Sequence, residues 1–237
     1  MGAIYLLTLR QLTGRWRLLI LTVLAALPVI ITALVVRSPE APSVSDFESF
    51  VFSTLLAGSI SPLVVLAIAA AAFANEIEDR TLANLTLSPL PRSRIVVPKL
   101  LAAITIAGPP VAISALLTGH LAFLGDVRAT LAVTASALVG VALYSAAFTW
   151  LGLVSSQAIG IGLLYIVLWE GFFSGFVDGV RLLSIRHYSI ALMHGLDPRR
   201  FAGGHHLGFG VTIALSAIVF CGFVWLSVRR LRRMDVP

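Results

Sequence analysis

Apolar residues run along this chain in stretches of about twenty, separated by short polar segments. A helix rises about 1.5 Å per residue, so each stretch matches the roughly 30 Å hydrocarbon core of a bilayer. We predict an all-α polytopic membrane protein with six transmembrane helices. Their expected positions are about 18–36, 51–74, 100–124, 129–154, a fifth from about 158 that loses clarity after Glu170, and 207–228.

The first seventeen residues have a different pattern. Tyr5, Leu9, Leu12 and Trp16 are spaced by four, three and four, which places them on one narrow helical face. We therefore predict an amphipathic interfacial helix over residues 1–17, preceding a transmembrane domain over residues 18–237. An ordinary juxtamembrane anchor is the alternative.

The composition supports a membrane protein. Hydrophobic residues make up 58% of the chain and charged residues 12%, about half the share in soluble proteins. The net charge is +6. With a cytoplasmic N-terminus the basic residues favour the inner side, so the positive-inside rule predicts that both termini are cytoplasmic. No soluble basic domain exists that could bind nucleic acid.

The chain shows no catalytic motif. It contains neither the GxxxxGK[ST] phosphate-binding loop nor an HExxH metal motif, so we predict that it is not an enzyme and carries no cofactor or metal of its own. His194, His205 and His206 are expected to be solvated loop residues. The single Cys221 lies in the sixth predicted span and is expected to be a small apolar packing residue.

A charged segment interrupts the apolar pattern between the second and third spans. Because Pro89 and Pro91 cannot continue a helix, we predict a short helix within residues 76–90 that forms a rigid projection on the inner surface. A partner would bind it through apolar anchors and acidic side chains, whereas an ordinary solvated loop is the alternative. The residues of interest are Glu76, Glu78, Asp79, Arg80, Thr81, Leu82, Leu85, Pro89, Arg92 and Lys99.

The order Glu76-x-Glu78, Thr81-Leu82, Ser88-Pro89, Arg92 and Lys99 after the second span resembles the signature of ABC-2 type permeases. Arg80 stands where that family commonly has glycine. The resemblance implies a connecting helix at residues 1–17 and a coupling helix at about 76–90 that docks on an ATP-binding subunit. It also implies two such subunits carrying ATP and Mg, a second permease copy or a homologue, and a bacterial cytoplasmic membrane.

The region after the fifth span also resembles a subset of small bacterial ABC-2 permeases, through Trp169-Glu170 and Leu183-Ser184-x-Arg186-x-Tyr188. Its glycines permit close packing, so we predict an outer re-entrant segment over about 171–206. Glu170 is an acidic residue in or near a span, where charge is costly. We expect a structural ion pair with Arg181 or Arg186, and an external gate is the alternative.

These features predict the membrane subunit of an ATP-driven exporter. Apolar faces of the second and fifth spans would line the pathway, which favours a hydrophobic or amphipathic cargo. The candidate pathway and gate residues are Leu55, Leu56, Ile60, Leu163, Leu164, Val167 and Glu170. An ATP-independent channel or carrier and a membrane assembly factor are the alternatives.

Overall fold

The computed structural model describes residues 2–37, 43–78, 91–173, 184–201 and 208–233, and every regular element in these ranges is helical. We number the helices α1 to α8 in chain order. Six of them are α1 (Gly2–Leu12), α2 (Arg15–Val36), α4 (Ser93–Ala122), α5 (Val127–Val154), α7 (Ile185–Leu196) and α8 (Phe209–Arg233).

The remaining two helices, α3 and α6, contain wide π-helical turns. In α3, a short α-helical start (Val44–Asp46) is followed by a π-helix (Phe47–Ile60) and then by α-helical Ser61–Ala69 and Ala71–Glu78. In α6, α-helical Ala158–Leu164 continues as a π-helix over Tyr165–Phe173. The two π-helical segments pack against each other. Such turns are rare and often lie at functional sites.

Five helices are long and apolar enough to cross a bilayer: α2, α4, α5, α8 and, within α3, Val44–Ala74. The fifth predicted span corresponds to α6, whose apolar part, Ala158–Gly171, is shorter. At about 1.5 Å per residue it covers only about 20 Å, less than a bilayer core. The six-span count therefore depends on residues 174–183, which lie outside the described ranges.

The ends of the helices gather in two places. At the first, which we call the Phe73 end, Phe73, Ile95, Val96, Leu153 and Leu231 form one apolar cluster joined by Ile4 and Val228. This cluster unites the end of α3, the start of α4 and the ends of α5 and α8, with α1 beside them.

The opposite end, which we call the Phe123 end, is built around three aromatic rings. Phe123 packs edge-on against Phe47 and Phe201, with ring centroids 4.7 and 5.5 Å apart. Two ion pairs lie at the same end: Arg128 Nε is 3.5 Å from Asp197 Oδ1, and Arg200 Nη1 is 3.7 Å from Asp126 Oδ2. These contacts bring together the starts of α3 and α5, the end of α4 and the residues that follow α7.

The core lies along α3 and α5. Within the apolar window of α3, 78% of the residues are buried, against 22% for α2 and 17% for α8. Gly152 of α5 allows a close backbone approach, because a Cβ there would lie 2.4 Å from the carbonyl oxygen of Ala70. The chain thus packs α3 and α5 backbone to backbone and leaves α2 and α8 at the periphery.

The N-terminal region differs from the predicted single helix over residues 1–17. Gly14 has an extended backbone (φ −69°, ψ 132°), so α1 ends at Leu12 and Arg15–Arg17 begin α2. Trp16 is consequently exposed rather than aligned with Tyr5. The packed face of α1 includes Thr8 and Leu12, and Tyr5 donates a hydrogen bond to Thr105 Oγ1 of α4 at 3.0 Å.

Candidate functional site

Lys99 of α4 is buried at the Phe73 end, with only 1% of its surface exposed. Its Nζ lies 2.5 Å from Glu76 Oε1 and donates to the carbonyl oxygen of Ala72 at 2.6 Å. The same ammonium lies 4.4 Å from the ring centroid of Phe73. A buried ammonium needs such partners, because removing a charge from water is costly.

The Lys99–Glu76 pair joins the two helices that flank residues 79–90. Glu76 belongs to the last turns of α3, and Lys99 follows the first turns of α4. The pair therefore fixes both ends of the predicted coupling segment to each other. In the described part of the chain, Oε2 of Glu76 is buried and has no hydrogen-bond partner.

This geometry corrects two of the expected partner contacts. Glu76 and Lys99 were expected to contact an ATP-binding subunit, yet both are buried inside this chain. The physical reason is that α3 continues to Glu78 and α4 begins at Ser93, so both residues lie on packed helices rather than in a loop. The contacts of Lys99 with Glu76 and with the carbonyl oxygen of Ala72 are made within this chain.

Of the other predicted coupling residues, the structure describes the side chain of Arg92 alone. Arg92 is half-buried just before α4, with Arg94 exposed beside it. The expectations for the Glu78 side chain, Asp79, Arg80, Thr81, Leu82, Leu85 and Pro89 lie outside the described residues. The docking role of those residues stays a prediction.

A second polar site surrounds Glu170, which is fully buried in the π-helical part of α6. Its carboxylate accepts hydrogen bonds from Tyr165 Oη at 3.0 Å, Ser184 Oγ at 2.5 Å and the backbone N–H of Ile185 at 3.1 Å. Ile185 is the first residue of α7, so the carboxylate lies at a helix N-terminus, where negative charge is favourable.

Arg186 approaches Glu170 differently from the predicted ion pair. Its Nη1 donates to the backbone carbonyl of Glu170 at 3.0 Å. The arginine also lies beside Gly58 in the π-helix of α3, where a Cβ would be 3.0 Å from Arg186 Cδ and 3.2 Å from Nη1. Arg186 thus connects the two π-helical segments. The alternative partner, Arg181, lies outside the described residues.

The sequence-based interpretation did not identify Tyr165 and Ser184 as partners of Glu170. Ser184 is the N-cap of α7, and its Oγ accepts from the backbone N–H of His187. A serine before an apolar helical pattern is a standard N-cap signal that could have located the start of α7. Tyr165 lies five residues before Glu170. The i to i+5 geometry of a π-helix places two such side chains on the same face, whereas an α-helix does not.

The candidate pathway residues divide between the interior and the surface. Leu163, Leu164 and Val167 of α6 are exposed. Leu56 and Ile60 are instead in the core, so the expected exposed face of the second span does not include them. The π-helical turns of α3 shift the accessible positions, which now form a stripe: Phe50, Thr54, Leu55, Ser59, Leu63 and Ala67. We call this the α3 stripe.

Among the histidines, His194 differs from the expectation of a solvated residue. It is buried near the Phe123 end and bonded through Nε2 to Glu48 Oε1. His205 and His206 lie outside the described residues. Within the described ranges, no group of three potential metal ligands forms.

No curated protein matches the chain. The sequence profile of the ABC-2 family transporter proteins matches residues 13–181, which is well over half of the chain. The match covers α2 to α6, including the Lys99–Glu76 pair and Glu170. Permeases of this family generally work with ABC ATP-binding subunits. With its apolar helices and this match, the chain belongs to the ABC-2 family of transporter proteins, as a multi-pass membrane permease.

Proposed function

We propose that this chain is the membrane subunit of an ATP-driven exporter. Two copies, or one copy and a homologue, would pair in a bacterial cytoplasmic membrane above two ATP-binding subunits. Those partners would hold ATP and Mg and perform hydrolysis, and this chain would have no catalytic site. The apolar helix α6 would supply the remaining span of the six.

The observation that carries the proposal is the construction of the Phe73 end. A buried pair, Glu76–Lys99, ties α3 to α4 at the two ends of the charged segment. Force applied to that segment would reach both helices together, because neither end can move without separating two buried charges. A surface loop with no transmitting role would not need this connection.

The distribution of charge supports a cytoplasmic Phe73 end. Arg92 and Arg94 lie at the start of α4 there, and α8 ends with Arg229, Arg230, Arg232 and Arg233. Short cytoplasmic segments of membrane proteins are enriched in such residues. The same orientation places both termini in the cytoplasm, with the Phe123 end outside.

The proposed movement is a rigid-body rocking of packed helices. Closure of the ATP-binding subunits would displace residues 79–90 and tilt α3 and α4 through the buried pair. Since Gly152 holds α5 against α3, α5 would follow. The helices would then alternate access along the α3 stripe.

The α3 stripe favours a hydrophobic or amphipathic cargo. It presents Phe50, Leu55 and Leu63 together with two hydroxyl residues. Those hydroxyls are already used: Thr54 donates to the carbonyl of Ser49 at 2.8 Å and Ser59 to that of Thr54 at 2.9 Å. A pathway built this way offers few free polar groups to a hydrated ion.

Co-purification tests the proposal. The tagged permease should be co-expressed with a candidate ABC ATP-binding subunit from the same genome, purified in detergent and assayed for vanadate-sensitive ATP hydrolysis. We expect Leu82→Asp to lose the ATPase while keeping permease yield, since it puts a charge in an apolar anchor. Leu124→Asp, exposed at the Phe123 end, is the matched control. Equal ATPase recovery in both variants would remove the coupling role.

A further inference from the structure

A large apolar cavity lies between α5, α6, α7 and α8, away from the α3 stripe. Its volume is about 500 Å³, within the range of about 300–1,000 Å³ that small-molecule sites occupy. Aromatic and aliphatic side chains line it, among them Phe148, Trp150, Ile161, Trp169, Tyr188 and Phe223.

The cavity lies at the depth of the lipid chains. Trp150 is near the end of α5, close to Leu153 of the Phe73 end, whereas Tyr188 is on α7 near Glu170. The cavity thus extends from near the Phe73 end toward the level of Glu170. Its lining residue Ile161 is 44% exposed, and α8 is the least buried of the spanning helices, so the cavity borders an exposed apolar surface of the helix bundle.

The chemistry of the lining selects an uncharged, apolar occupant. Among the described residues, none that lines the cavity carries a charge. The carboxylate of Glu170 lies beyond Tyr165 and is fully buried, accepting three hydrogen bonds from Tyr165, Ser184 and Ile185. An empty cavity would forfeit dispersion contacts along its walls. In a bilayer, acyl chains are the apolar groups present at this depth.

A cationic residue lies in line with the cavity at the Phe73 end. Val219 and Phe223 line the cavity from α8, and Arg230 follows Phe223 by seven residues, which returns to the same helical face. Arg230 is exposed, about 10 Å further along the axis. A phosphate at the membrane surface could therefore meet Arg230 while its acyl chain enters the cavity.

We propose that this cavity binds an acyl chain of a phospholipid from the leaflet at the Phe73 end, with Arg230 contacting its phosphate. The site is separate from the export pathway and does not depend on the ATP-driven function. The occupant is a lipid already in the membrane, bound by apolar contact along α5, α6 and α8.

Tryptophan quenching tests the proposal, because two of the four tryptophans, Trp150 and Trp169, line the cavity. The full chain carrying Trp16→Phe and Trp225→Phe should be purified in detergent and titrated with phosphatidylglycerol brominated on one acyl chain. We expect saturable quenching. Ala147→Phe, which fills the cavity, should abolish the saturable part. Ala135→Phe, exposed on the same helix, should preserve it.

Arg230→Gln provides a second variant on an exposed residue that does not disturb packing. We expect its apparent affinity for the lipid to fall about fivefold, the effect of one cation at a membrane surface. Quenching that is absent, or that rises linearly and equally in the Ala147 and Ala135 variants, would overturn the acyl-chain site. An unchanged affinity in Arg230→Gln would overturn the phosphate contact.

Discussion

At the residue scale, two buried acids have different roles. Glu76 neutralises Lys99 and ties two helices together at the Phe73 end. The Glu170 carboxylate accepts hydrogen bonds from two hydroxyl groups and from the first backbone N–H of α7. Burying either carboxylate without partners would be costly. Replacing Glu76 would leave the Lys99 ammonium without its counter-charge, and replacing Glu170 would leave its hydrogen-bond donors without an acceptor.

Lys99→Met should strongly destabilise the protein, because it leaves Glu76 buried without its cation. Breaking a buried pair from one side costs about 3–5 kcal/mol, whereas replacing both partners costs much less. We therefore expect the double variant Lys99→Met/Glu76→Gln to recover much of the loss in thermal unfolding of the purified protein. Arg94→Met, exposed on the same helix, should be neutral. Equal melting temperatures for Lys99→Met and Arg94→Met would contradict the buried pair.

Glu170→Ala should lower the folded yield, since it leaves three donors without an acceptor, including the first N–H of α7. Ser184→Ala should cost less, because it removes only one of these bonds and the N-cap. Size-exclusion chromatography of the solubilised protein measures the yield. Arg186 donates its hydrogen bond to the backbone carbonyl of Glu170 and not to the carboxylate. Exchanging the two residues is therefore not expected to rescue folding. Full yield in Glu170→Ala would instead favour a gating role.

At the element scale, the packing of α3 against α5 holds the central unit together. Gly152→Ala should destabilise the protein, because the new Cβ would lie 2.4 Å from the Ala70 carbonyl and force two backbones apart. Gly160→Ala on α6 is the matched control, as nothing lies within 4 Å of its Cβ position. There alanine should be neutral or stabilising by up to about 1 kcal/mol. Thermal unfolding that ranks Gly160→Ala below Gly152→Ala would contradict this packing.

The elements also show what could be predicted from sequence. Apolar length predicted α2, α4, α5 and α8, because membrane spanning depends mainly on local composition. The continuation of α3 to Glu78 was not predicted. The acidic residue Glu76 indicates a solvated segment unless its buried partner, Lys99, is known. Of the α3 stripe, Leu55 was among the predicted pathway residues, whereas the predicted Leu56 and Ile60 are in the core. The π-helix over Phe47–Ile60 changes the helical period and thus which positions of α3 are accessible.

At the scale of the whole molecule, the account predicts which ends face which side of the membrane. Reporter tags at Glu40, Arg128 and Arg199 should be external, and tags at Arg94, Gln157 and Asp235 cytoplasmic. The last three follow from the arginines gathered at the Phe73 end. A cytoplasmic signal at Arg199 would mean that α6 and the residues after it do not cross, leaving five spans.

We propose that ATP, through the partner subunit, changes access along the α3 stripe. Because Cys221 is the only cysteine, a Cys221→Ser background allows a single label at Ser59→Cys, in the middle of the stripe. Leu124→Cys at the exposed Phe123 end is the control. The measurement is the rate at which an external, membrane-impermeant thiol reagent modifies the reconstituted complex, with and without ATP and vanadate. We predict a several-fold rise at Ser59→Cys when ATP and vanadate are added and no change at Leu124→Cys. Identical rates at Ser59→Cys in both conditions, in a complex that hydrolyses ATP, would contradict the account.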